Sequence, residues 1–129
     1  MKQELNYTIK KIEESILNTF PYCYLEIDNI FSNEFYHDLV LNKPQDLKSY
    51  RPLSKMYSDR YVMELGYGEN TNKKLASVYL NDSKKQLFWR EFQKTFIENK
   101  DLAYSFIEKY KNFLNVDRAK KGKINCRLS

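Results

Sequence analysis

Glycine and proline are scarce, three of each in 129 residues, which excludes low-complexity and linker-like classes and argues against disorder. Cysteine is nearly absent. Cys23 and Cys126 lie far apart and match no zinc or redox spacing. Two free thiols with no disulfide framework fit a reducing compartment. No apolar run approaches the ~20 residues needed to span a bilayer. The opening MKQELNYTIKKIEESI is charged throughout and lacks the apolar stretch of a secretory signal. A cytoplasmic protein with no membrane contact is the expectation. There is a single histidine, His37, so no site in this chain can draw on two imidazoles.

What the chain does contain is apolar and aromatic mass. Hydrophobic residues make up 42% and aromatics 16%, with eleven Tyr and eight Phe. That is enough to bury a core, with tyrosine hydroxyls at its edge where they find partners. The net charge of +5 is unevenly placed. Residues 1–107 carry 15 basic and 15 acidic side chains, whereas residues 108–129 carry seven basic and two acidic. A basic end can meet nucleic acid or an anionic surface. No Arg-rich run or aromatic RNA-binding motif accompanies it, so a solvated connection is the simpler reading and nucleic acid is not the expected partner.

Helical spacing of Leu5, Ile9, Ile12 and Ile16 predicts an amphipathic helix near 3–19, ending before Phe20-Pro21. Tyr22–Ile27 is rich in strand formers and is closed by Asp28-Asn29, which predicts a strand over 22–27. Ser32 is a cap for a helix over 32–41 bearing Phe35, Leu39 and Val40. Residues 45–60 read as a loop, 60–65 as a short strand broken by Gly66 and Gly68, and 73–80 as a short helix. Ser83 with Gln86 forms a capping-box pattern for a helix over 83–98, and Asp101 is the expected cap of a helix over 101–114. Ile124, Cys126 and Leu128 alternate with polar residues, which predicts a strand over 123–128. Because chain ends usually fray into polar residues, a patterned strand at the end implies further strands beyond it. The chain is expected to be one domain, 1–129, forming the front part of a larger one.

Candidate chemistry is thin. His37 with Glu34 and Asp38 has no recognised metal spacing, and a helix-surface residue is the plainer account. A cysteine nucleophile, Cys23 or Cys126, would need His37 oriented beside it, and nothing in the spacing does that. Gly66-Tyr67-Gly68 lacks the Lys and Ser/Thr of a phosphate loop and reads as a turn. Trp89, within Phe88-Trp89-Arg90-Glu91-Phe92, reads as a core residue rather than a base-stacking platform.

One stretch, Phe20-Pro21-Tyr22-Cys23-Tyr24-Leu25-Glu26-Ile27-Asp28-Asn29-Ile30-Phe31, resembles the entry to the first strand of iron(II)- and 2-oxoglutarate-dependent oxygenases of the prolyl-hydroxylase-like kind. Leu87–Phe92 is similar to the long helix behind that family's sheet, and Ile124–Ser129 to the strand leading to its metal segment, so the likeness spans Thr19 to Ser129. It implies an α+β fold in which helices brace the sheet of a double-stranded β-helix (jelly roll) whose metal-binding strands lie outside this chain. It implies an oxygenase, a hydroxylase of unknown substrate, using Fe(II) and 2-oxoglutarate in the complete protein, with none bound by this chain alone. The family's metal site is His-x-Asp plus a later His. No His-x-Asp occurs here, His37-Asp38 has the wrong spacing, and no catalytic or metal residue is carried over. Arg127 is the one substrate-binding candidate, as a residue facing the pocket of the complete protein. Two readings compete with the oxygenase. One is a small α-rich binding module that contacts nucleic acid or an acidic partner through its basic C-terminus. The other is a helical adaptor that forms a homodimer through an exposed aromatic face.

Overall fold

The computed structural model describes residues 1–45, 51–54, 57–67, 82–121 and 125–128, the strands among them by backbone only. Residues 1–45 and 82–121 are 66% helical and contain no strand. Helix α1 covers Lys2–Glu14 and α2 covers Asn33–Asn42. Helix α3, Ser83–Phe92, continues as a π-helical turn over Gln93–Glu98. Helix α4 is Asp101–Lys109, followed by a 3-10 turn at Lys111–Phe113 and a short α5 at Val116–Lys120. Strands β1 (Arg51–Ser54), β2 (Tyr57–Tyr67) and β3 (Asn125–Leu128) form one antiparallel sheet in the order β1-β2-β3.

This corrects the expected α+β fold. The described chain is mostly helical, and no double-stranded β-helix braced by its helices is present among the described residues. The reason lies in the aromatic stripe of α3. Trp89, Phe92, Gln93, Phe96 and Ile97 recur at helical spacing, and all are buried. They find cover in other helices and in the turn before α2. Phe35 lies within 6.4 Å, centroid to centroid, of Phe88, Phe92 and Phe96, while Phe31 meets Phe96 edge-on at 5.9 Å. Leu5 of α1 completes the cluster. Helix-on-helix packing covers Phe88, Phe92 and Phe96. Phe106 is half-buried, and Phe113 stays exposed.

Polar contacts set the angles between these elements. Ser32 caps α2, its hydroxyl accepting from Phe35 N–H at 3.2 Å. The same serine donates from N–H and hydroxyl to the two oxygens of Glu4, both at 2.7 Å. Thr8, fully buried, donates to Ile30 O at 3.0 Å. Asn29, at φ 52, makes the turn between them, a left-handed position that Asn tolerates. Glu4 thus holds the entry of α2 against α1 with two charge-assisted bonds. Replacing Glu4 by Ala is expected to cost about 1–3 kcal/mol. Urea unfolding followed by circular dichroism measures it, and a loss equal to that of exposed Glu14→Ala would remove the clamp's role.

Several boundaries differ from the sequence expectations. Helix α1 stops at Glu14, where Ser15 turns extended at φ −69, ψ 154 and its hydroxyl donates back to Ile12 O. The expected strand 22–27 does not form. Asn18 and Tyr24 exchange one pair of backbone bonds, and no further ladder follows. Strand formers without a neighbouring strand have nothing to pair with. Asp82, not Ser83, caps α3, accepting from Lys84 and Lys85 N–H. Ahead of α4 it is Asn99, not Asp101, whose side chain accepts, from Asp101 N–H at 3.0 Å. The helix expected over 101–114 ends at Lys109, and α5 arises where a connection was read, with Asn115 accepting from Arg118 N–H. The 45–60 loop contains β1 and the start of β2. Gly66 does not end β2 but sits at a shift in its register with β3, where glycine commonly marks a bulge. The helix expected over 73–80, and Gly68, fall outside the described residues.

Candidate functional site: the bundle end where α1 meets α4

The residues singled out from sequence lie on different elements. His37 is exposed on the outside of α2 and Cys23 is a half-buried free thiol. Arg127 and Cys126 lie on β3, where Arg127 pairs in register with Glu64 of β2. Among the described residues no three His, Cys, Asp or Glu side chains group as a metal site, so an iron triad of the implied kind would draw on other residues. Trp89 is core, 1% exposed, with its indole N–H donating to Asn42 O at 2.9 Å.

A different place gathers charge and exposed apolar surface. Helices α1 and α4 pack together, and their C-terminal ends are tied by Lys109, whose ammonium donates to Glu13 O at 2.7 Å. A cation on the carbonyl end of a helix also meets the negative end of its dipole. Beside this bond lies a groove of about 230 Å³ lined by Glu13, Ser105, Glu108, Lys109 and Lys111. Ser105 donates back to Leu102 O at 2.6 Å. Lys111 bonds Glu108 at 2.7 Å. That hydrogen bond, then the charge of Lys111 and more weakly that of Lys120, holds the Glu108 carboxyl below its ordinary 4.5.

A depressed carboxyl pKa stabilises the fold above 4.5, and the contribution is lost as pH falls through the lower folded value. In a carbon-detected NMR titration Glu108 is expected to protonate below 4.5, and Lys111→Met to move its midpoint upward. An unchanged midpoint in that variant would remove Lys111 as the cause.

Exposed apolar residues follow both helices in the chain. Past α1 the run Ser15–Leu25 holds no charged residue, and within it Ile16, Phe20 and Tyr22 are 81%, 86% and 69% exposed. Past α4, Phe113 is 56% exposed with Leu114 beside it. On the α4–α5 side Lys120 sits over the Tyr104 ring at 5.2 Å, and Arg118 and Lys121 are exposed.

No family model, curated protein or solved structure matches this chain. No described helix is long and apolar enough to cross a membrane. Sequence reasoning missed this bundle end, because it depends on Glu13 meeting Lys109, 96 positions apart. Two local signals point to it in hindsight: the uncharged run after α1, and Phe113-Leu114 inside the basic region.

Proposed function

We propose that this chain is a small helical binding module that takes an acidic protein partner on the basic side of its α1–α4 end. The observation that carries this reading is the placement of charge. The whole excess of +5 falls in residues 108–129, and the helical part of that region adjoins the groove. Lys109 and Lys111 line the groove, while Arg118, Lys120 and Lys121 follow on α5 and just past it. Such a field speeds encounter with an anionic partner and orients it on arrival. Carboxylates are interleaved with these cations at Glu13, Glu108 and Asp117. They would repel a continuous phosphate backbone, whereas a protein surface of mixed charge can match them, so the reading favours protein over nucleic acid.

The test is fluorescence anisotropy with a labelled polyglutamate peptide and, separately, random-sequence double-stranded DNA. Polyglutamate is expected to bind, to weaken as salt is added, and to be released by Arg118→Glu with Lys121→Glu. Tighter binding of DNA at physiological salt would replace the acidic protein with nucleic acid. Absence of binding to either would overturn the reading.

A further inference from the structure

We infer that the acidic partner of the basic end is a second copy of this chain, which presents the outer face of its α2. This rests on the binding-module reading and names its partner. Helix α2 is apolar on two sides. Phe35 and Leu39 pack in the aromatic core, while Tyr36, Val40 and Leu41 are 62%, 50% and 60% exposed. Helices that are apolar beyond their core stripe are ordinarily covered on that side too. Among these apolar groups stand carboxylates. Glu34 and Asp38 are one turn apart and exposed, and Leu41 is one turn past both His37 and Asp38. Neither carboxylate forms an ion pair among the described residues. The bias extends beyond the helix, since residues 12–42 hold six carboxylates and no Lys or Arg.

The complement of this face lies on the same chain. Arg118 and Lys121 are one turn apart, exposed, and in no ion pair among the described residues. Beside them on α5, Lys120 lies over the exposed ring of Tyr104. Cations with long apolar stems, set on an aromatic ring, match carboxylates set among Tyr36, Val40 and Leu41. Charge also decides how two copies meet. Two α2 faces share one sign and two basic ends share the other, so either surface repels its own kind. The sign-matched contact joins the α2 face of one copy to the basic end of the next. Both surfaces are exposed on a single copy, so they do not cover each other within the chain. One repeated contact covers both, closing into a ring or running on as a filament.

The experiment is sedimentation velocity of the full chain over a concentration series. Species heavier than the monomer are expected to grow with concentration and to shrink as salt is added. Glu34→Lys with Asp38→Lys should weaken association at least about tenfold, and so should Arg118→Glu with Lys121→Glu. Val40→Ser with Leu41→Ser should weaken it by a similar factor. Leu87→Ser, an exposed apolar position on α3, is the control and should associate like the parent. Mixing the two charge-reversed chains should restore association, because their altered surfaces match across copies. A fold lost to substitution would not be rescued in this way. Association that survives either charge reversal or the serine pair, or that mixing fails to restore, would overturn the contact. A chain that stays monomeric at every concentration yet binds polyglutamate would overturn the second copy and leave the acidic-partner reading standing. A monomer that also ignores polyglutamate would remove both readings.

Discussion

Replacing Trp89 by Ala is expected to cost about 3–5 kcal/mol, a large share of the ~5–15 kcal/mol that holds a domain of ordinary size together. Two losses combine. The indole is 1% exposed and meets Phe88 and Phe92 edge-on at 5.2 and 5.5 Å, so its removal leaves a cavity that a helical bundle only partly closes. Its N–H also satisfies the carbonyl of Asn42, the last residue of α2, one of the orphan acceptors at a helix end. Trp89→Phe separates the terms, keeping most of the ring while leaving that carbonyl unbonded, and should cost about 1–3 kcal/mol. Leu87→Ala, two residues away and exposed, should stay within about 0.5 kcal/mol of the parent. Urea unfolding of the three variants decides the matter, and similar midpoints for Trp89→Ala and Leu87→Ala would show that the indole is not central.

Phe35→Ala is the second large effect, also about 3–5 kcal/mol. This ring is the hub of the cluster, touching Phe31, Phe88, Phe92 and Phe96, and it is stacked on the last two. Aromatic pairs contribute ~0.5–1.5 kcal/mol beyond the area they bury. A double-mutant cycle of Phe35→Leu with Phe96→Leu should therefore show a coupling of that size. Additive single effects would mean that the rings are held by hydrophobic area alone. Both variants should also loosen α2 from α3, which hydrogen exchange in residues 33–42 would register as faster opening.

Much of the helical pattern was legible before any coordinates. Leu5, Ile12 and Phe35 are buried where their spacing placed them, and Trp89 is a core residue as expected. Ser32 caps α2 as its residue type predicts. These features depend on neighbours within a few residues, where helical periodicity acts. The expectations that failed needed distant information. The strand formers at 22–27 met no partner strand, so their local preference had nothing to act on. What covers the aromatic stripe of α3 was equally hidden, because spacing reveals that a face is apolar but not what packs on it. Asp82 displaced Ser83 as the cap of α3, a one-residue shift of the kind helix ends commonly show.

The candidate site was the least legible part. His37 and Cys23 stood out by residue type, yet no metal-like group of His, Cys, Asp and Glu forms among the described residues. The groove is made instead of lysines and glutamates that look ordinary in sequence.

By itself, the sequence determined which faces of which helices are apolar, where α2 is capped and where the excess positive charge lies, since each follows from side-chain chemistry and local spacing. Only the tertiary structure decided that Glu4 would clamp Ser32, that Trp89 would close the end of α2, and that Lys109 would tie the end of α4 to the end of α1. Those pairings join residues 28, 47 and 96 positions apart. At such separations chain entropy opposes contact, and only packing of the whole aromatic core makes it favourable.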